Sequence, residues 1–314
     1  MIMVILVQSS CKKETPPYEQ LSDSKENAVV SIVKSNGNMQ NLTIFPYQDE
    51  ARTIDFGASF GGVGLPASNI SVKYAVDDKA FDSLNVSRVA QGLAPFQKFP
   101  ADSYTLGASS SIIPAGQVSS NLIKVSYFPK KFNDKIDYLL PISVVDASGY
   151  KIGAGKTLFL IAPKLTDILA SKVGWSVTAS SQELVGEGSA NGKADFVIDG
   201  NTATYWHSKY IAPAAAYPHW LNIDMKTDIY VTRVDLIARQ NATNGFVLFN
   251  IEGSKDGLSW TSLGDNLVFD PFNKGAQSYP VTPNYSRFIK VTGLKAASAS
   301  TAVSHLAEMN VYRY

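Results

Sequence analysis

The densest chemistry in the chain lies in one run, Asp199-Gly200-Asn201-Thr202-Ala203-Thr204-Tyr205-Trp206-His207-Ser208-Lys209-Tyr210. Asp-Gly-Asn is turn chemistry, because glycine takes positive φ freely and Asp and Asn side chains bond back to the backbone. Asp199 is the one side-chain carboxylate of the turn. Asn201 and Thr204 add oxygens from side chain or backbone, and Phe196 can offer a carbonyl. Such a turn can cage a hard cation, since calcium takes about six to eight oxygen ligands. It can equally be a tight turn closed by a Thr204 hydrogen bond.

The second half of the run, Trp206 to Tyr210, carries the groups a sugar needs. Sugar hydroxyls want directional donors and acceptors, and the C–H face of the ring wants an aromatic surface. A neutral histidine offers one donor and one acceptor. Arginine spans two adjacent hydroxyls with a rigid fork, and a tyrosine ring packs under the apolar face.

Read with its downstream partners, the run resembles the discoidin family, also called the coagulation factor V/VIII type C domain. The likeness continues through Trp220-Leu221-Asn222-Ile223-Asp224-Met225, Ala238-Arg239-Gln240 and Ile251-Glu252-Gly253-Ser254-Lys255-Asp256-Gly257-Leu258-Ser259-Trp260. It closes with Arg287-Phe288-Ile289-Lys290-Val291 and Leu306-Ala307-Glu308-Met309-Asn310-Val311-Tyr312. The resemblance implies a galactose-binding-like jelly-roll β-sandwich over roughly the last half of the chain, with carbohydrate as the ligand of many bacterial members. It carries His207, Tyr210 and Arg239 onto the family's sugar-binding positions, with Asn241 or Asn244 as the nearby amide and Phe246 or Tyr217 as a second apolar wall. A galactose-type sugar is the ligand it implies most directly. It also implies a structural calcium ion held by Asp199, Asn201, Thr204, Ala307 and Glu308, because a terminal-strand Glu and its preceding residue complete the family's cage. Trp206, Trp220 and Trp260 are expected in the core.

The elements that must position these groups read as strands throughout. The chain has 314 residues, 45% hydrophobic and 18% charged, which suits two folded domains of ordinary size. A formal net charge of +1 leaves no broad basic footprint for nucleic acid. The single cysteine excludes an intrachain disulfide. Candidate strands in the first half are 28–33, 40–47, 52–56, 70–76, 122–128, 138–145 and 157–162, rich in Val, Ile, Tyr and Phe and bounded by turn residues. That pattern predicts an immunoglobulin-like β-sandwich, with a helical turn at 77–85 and a strand edge at Ile112-Ile113 running into Pro114-Ala115-Gly116. Pro163-Lys164 marks a boundary, followed by a turn of helix at 165–172. Alternation at Tyr230, Val234, Leu236 and Ala238 predicts one shared face.

Met1 to Val7 is apolar and ends in Gln8-Ser9-Ser10-Cys11, which resembles the bacterial lipoprotein signal, though without a basic leader and with Gln8 where an aliphatic residue is usual. The resemblance implies lipidation at Cys11 and an anchor in the outer membrane, at the cell surface or facing the periplasm. Residues 1–24 then form a signal remnant and tether, 25–163 the first sandwich and 164–314 the discoidin-like domain. Tyr74-Ala75-Val76-Asp77, Tyr104-Thr105-Leu106 with Ile113-Pro114-Ala115-Gly116, and Tyr138-Leu139-Leu140-Pro141-Ile142 resemble an N-terminal domain of unknown function from surface lipoproteins of glycan-foraging Gram-negative bacteria.

No Gly-x-Ser-x-Gly elbow, His-Glu-x-x-His motif or phosphate loop is present. The acidic residues form no recognisable pair for glycoside hydrolysis, and the three histidines have no zinc spacing. The combined expectation is an all-β, non-catalytic surface lipoprotein that captures glycan for glycan-uptake or degrading proteins of the same system. The rival readings are a structural or adhesion protein whose discoidin domain grips another protein and, more distantly, a glycosidase.

Overall fold

The computed structural model describes residues 25, 27–35, 39–45, 49–298 and 302–314. The lipidation expected at Cys11 and the tether expected over 1–24 lie outside the described residues. The chain divides into two units that part between Leu165 and Thr166.

The first unit is β-rich. Its strands are β1 (Val29–Ile32), β2 (Gln40–Asn41), β3 (Arg52–Phe56), β4 (Ala58–Gly61), β5 (Ile70–Val76), β6 (Gln97–Lys98), β7 (Tyr104–Leu106), β8 (Ser110–Ile113), β9 (Ile123–Tyr127), β10 (Tyr138–Asp146), β11 (Lys151–Ile152) and β12 (Thr157–Ala162). They form three sheets, ordered β11-β1-β4, β2-β12-β10-β5-β8 with β6 also on β10, and β3-β9-β7. Period-two burial in β5 puts Ile70, Val72 and Tyr74 on the inner face, where they join Ile142, Leu158 and Leu160 in one core.

Two expectations change here. The strand expected at 40–47 stops after Asn41. Leu42 and Ile44 stay buried, but the segment runs parallel to β12, pairing Gln40 with Leu160 and Asn41 with Ile161, and β12 ends at Ala162. The ladder therefore runs out of partner. The helical turn at 77–85 is a full helix, α1 (Asp78–Ala90), whose N-cap Asp77 accepts a hydrogen bond from the Ala80 amide at 3.0 Å. Phe81 of α1 packs on Phe96, Leu139 and Ile161.

The second unit holds β13 (Ile168–Leu169), β14 (Ser176–Ala179), β15 (Trp206–His207), β16 (His219–Ile237), β17 (Phe246–Ser254), β18 (Thr261–Val268), β19 (Ala276–Ala296), β20 (His305–Leu306) and β21 (Glu308–Arg313). Its main sheet runs β13-β21-β16-β19-β17-β18, with β14 also on β16, and β15 pairs with β20. The helical turn expected at 165–172 is replaced by β13, which pairs Ile168 with Arg313 and Leu169 with Tyr312. Pairing to the terminal strand satisfies these backbone groups across the sheet, which a single isolated turn of helix does poorly.

The long strand β16 serves both layers of the jelly-roll sandwich. Its first half pairs with β14, and its second half with β21. Register shifts at Asp224/Ile229 and Val231/Arg233 bend it between them. Leu221, Ile223 and Met225 are buried before the bends, and Val234 and Leu236 after. The bulge advances the phase by one residue, so Val231 rather than Tyr230 faces the core. Tyr230 instead meets the Tyr285 ring edge-on and stacks with Tyr314. Of the three expected core tryptophans, Trp206 is fully buried. Trp220 and Trp260 are half-buried, the latter beneath the Lys290 ammonium at 4.1 Å, because both sit where strands meet turns at the sandwich surface.

Candidate functional site

Two neighbouring chain ends build the site. β15 and β20 pair Trp206 with Leu306 and His207 with His305. The Trp206 indole is fixed by donating Nε1–H to the Ser181 carbonyl at 2.8 Å, so His207 leaves the core at a set angle. The next turn is tied down from the other side. The Ser208 amide donates to the Ser304 carbonyl at 2.8 Å, and the Ser304 amide to Ser208 Oγ at 2.9 Å.

A third segment, 183–187, closes over this pair. The buried Glu183 carboxylate accepts amide hydrogens from Val185, Gly186, Tyr210 and Ile211 at 2.9–3.1 Å. Those amides hold its pKa down to about 2. Glu183 thus splices the 183–187 loop to the loop that begins at Tyr210.

Glu187 is the hub. Its Oε1 lies 3.4 Å from Arg239 Nη1 and 3.8 Å from His207 Nε2, and its Oε2 accepts the Tyr205 hydroxyl hydrogen. Arg239 also donates Nε–H to Asn241 Oδ1 at 2.7 Å and stacks 3.8 Å over the Tyr205 ring. Burial, and then the bond to Glu187, push the Tyr205 hydroxyl up to about 12. His207 and Arg239 therefore meet at one carboxylate oxygen.

Their exposure differs from the expected three groups facing water together. His207 is only 5% exposed, whereas Tyr210 is 38% exposed. Glu187, His207, Lys209, Tyr210, Ala214, Ala215, Asn244, Ala302 and Val303 line an open concavity of about 410 Å³. Arg239 stands one layer behind, supporting Glu187 from the Tyr205 face, because its guanidinium is committed to three neighbours. Asn241 serves Arg239, and Asn244 lines the concavity while its Oδ1 accepts from His305 Nε2–H at 2.8 Å. Phe246 is no wall of the site. It is buried and stacks with Phe269 in the core, since β17 turns it inward. Tyr217 donates its hydroxyl to the Val303 carbonyl at 2.9 Å and braces the 302–304 segment from behind, as does His219 through the Ala302 carbonyl at 3.1 Å.

The imidazoles are neutral groups in this setting. Burial holds His207 below its ordinary value. Burial, with the nearby His207, Arg239 and Lys274, drives His305 down to about 3. His207 donates Nδ1–H to its neighbour's carbonyl, Ser208 O, at 2.6 Å, which leaves Nε2 as an acceptor. Nε2 and Glu187 Oε1 are thus two acceptors 3.8 Å apart, and a hydroxyl placed beside them can donate to one of the two.

The Asp199 turn collects oxygen donors. Thr204 Oγ1 donates to Asp199 Oδ2 at 2.7 Å and sits 2.8 Å from the Asn201 carbonyl. Glu308, buried in β21, accepts the Gly200 amide hydrogen at 2.5 Å and holds the Lys172 ammonium on its other oxygen. Burial raises the Glu308 pKa, and the adjacent Asp199 side chain adds to the rise while Lys172 opposes it. Two carboxylates, a hydroxyl and a carbonyl therefore converge in a set of hard oxygen donors that fits calcium. Among the described residues no group of three or more His, Cys, Asp and Glu side chains gathers, so further ligands of such an ion would be carbonyls. Ala307 donates its amide hydrogen to the Ile237 carbonyl at 3.0 Å.

Glu187, Glu183 and His305 were not legible as site residues. Glu187 stands between two glycines in a polar stretch, and only the fold carries it to Arg239.

Residues 176–309 match the family model of the F5/8 type C domain. Residues 24–151 match a second model, described as an N-terminal domain. The second unit is an F5/8 type C domain. An A type blood N-acetyl-α-D-galactosamine deacetylase of Flavonifractor plautii is 26% identical over 238 residues, spanning 68% of this chain and 29% of that protein. The C-terminal domain of a chitobiase from Bacteroides fragilis is 29% identical, with a TM-score of 0.43, and covers 47% of this chain and 98% of that one. The family 32 CBM from Clostridium perfringens NanJ in complex with galactose is 22% identical, with a TM-score of 0.40, over 47% of this chain and 100% of that one. The chain spans less than a third of the curated relatives it matches.

Proposed function

We propose that the second unit is a non-catalytic carbohydrate-binding domain that captures a glycan end in the Tyr210–His207 concavity, with a galactose-type sugar as its neutral ligand. One observation carries this reading: an exposed aromatic ring stands beside a facing pair of acceptors, His207 Nε2 and Glu187 Oε1, in an open concavity. The ring packs on the sugar's C–H face and the acceptors take hydroxyl hydrogens. Membership of the F5/8 type C family supports glycan as the ligand class.

The carboxylates favour binding over hydrolysis. A glycosidase acid needs a raised pKa and an ionised partner across the bond. Glu183 is held down to about 2 by four amides, and Glu187 is engaged by Arg239 at 3.4 Å.

A calcium ion at Asp199, Asn201, Thr204, Ala307 and Glu308 belongs to the same proposal, as a clamp between the 199–204 turn and the terminal strand. So does a lipid at Cys11 that anchors the protein at the outer membrane and delivers glycan to uptake proteins. The sequence around Cys11 supports the anchor, and the converging oxygens support the ion. Avidity from many tethered copies offsets the weak grip of a shallow site.

The test is calorimetric titration of galactose, with a glycan array, on the wild-type chain, Tyr210→Ala and His207→Ala. Binding that weakens in both variants is expected. Undiminished binding in both removes the concavity as the site. Turnover of a chromogenic glycoside, abolished by Glu187→Gln, would replace this reading with a glycosidase.

A further inference from the structure

The charges around the concavity are nearly all committed. Glu183 is saturated by amides, and Glu187 and Arg239 cancel. The Lys274 ammonium caps the carbonyls of Arg239, Ala242 and Pro271. His207 and His305 are neutral above the ordinary histidine range. Lys209 is the exception. It lines the concavity and is half-buried, yet among the described residues its ammonium has no hydrogen bond, ion pair or ring contact. Its backbone is fixed at both ends, by the amide bond to Ser181 Oγ at 3.1 Å and by the Ala215 amide on its carbonyl at 2.9 Å. The second of these folds Ala214 and Ala215 across from it.

A lining ammonium without a protein partner is open to an anion that a ligand brings. Anchored at the wall of an otherwise compensated site, it gives the concavity one uncancelled positive charge that a ligand can meet. We infer that the site takes acidic sugars in preference to neutral ones, with the carboxylate of a hexuronate or similar acidic glycan end paired to Lys209 while its ring packs on Tyr210. This rests on the concavity being the sugar site. The small side chains of Ala214, Ala215 and Ala302 leave room for the added group.

The test titrates the full chain with three matched pairs that differ only at C6: galactose and galacturonate, glucose and glucuronate, mannose and mannuronate. At low salt the best-bound uronate should bind about fivefold tighter than its neutral partner, the scale of one accessible ion pair. That advantage should shrink at high salt, disappear in Lys209→Gln and persist in Lys209→Arg. Equal affinity within every pair, or a preference that survives Lys209→Gln, overturns the inference and leaves the neutral-sugar reading standing. Absence of binding by all six sugars overturns both.

Discussion

The Glu187–Arg239 pair gives the sharpest test of how the site is held. Both side chains are mostly buried, at 12% and 16% exposure, and Glu187 is the one carboxylate that pairs with Arg239 among the described residues. At the observed 3.4 Å, and with an effective dielectric of about 20, the gross attraction is about 5 kcal/mol. Desolvation of two ions offsets roughly half of it, so Glu187→Gln should cost about 2–3 kcal/mol, below the range for a fully buried pair because both groups keep some water. The glutamine still accepts the Tyr205 hydroxyl hydrogen, which confines the loss to the charge. For a domain of roughly 150 residues that corresponds to a fall of about 5–10 °C in its melting temperature. Differential scanning calorimetry of the full chain should show the second unit's transition move and the first unit's remain. A double-mutant cycle with Arg239→Met should then return a coupling of at least about 1 kcal/mol, with the double variant more stable than the Glu187 single variant. Additive effects, or a Glu187→Gln melting temperature within about a degree of wild type, would refute the hub.

Other outcomes follow from the same geometry. Sugar affinity should be flat from pH 8 down to about 6.5 and decline as the His207 imidazole, depressed by burial, takes its proton at lower pH; a profile that rises on acidification contradicts the acceptor role of Nε2. The stability of the second unit should drop as pH falls below about 6.5, since unfolded His305 protonates while the folded ring resists until about 3, and His305→Gln should flatten that slope in denaturant titrations. Calcium should raise the second unit's melting temperature in wild type, more so in Lys172→Met, where Glu308 loses its ammonium partner, and not in Glu308→Gln; an unchanged temperature in all three removes the ion. Asp77→Ala, which strips the α1 cap and the Ser143 bond at 2.7 Å, should lower the first unit's stability by about 1–2 kcal/mol in chemical denaturation.

Much of this molecule is written in local patterns. Strands β3, β5 and β12 begin and end where Val, Ile and Phe runs meet turn residues, because alternation and turn chemistry act over a few neighbours. The motif run from Asp199 to the terminal Glu308 likewise identified the second fold, since each piece meets a local backbone requirement. What the tertiary structure alone decided is non-local. Whether Ile168 and Leu169 coil or pair depends on a strand edge at Tyr312 and Arg313, and whether Tyr230 faces in or out depends on one bulge. The site follows the same division. His207 and Tyr210 advertise sugar chemistry by type, but Arg239's place behind the concavity and Glu187's place at its centre come from chain crossings some fifty residues apart. Charge pairing at that range depends on where the folded backbone delivers each group, and one sequence carries no local mark of it.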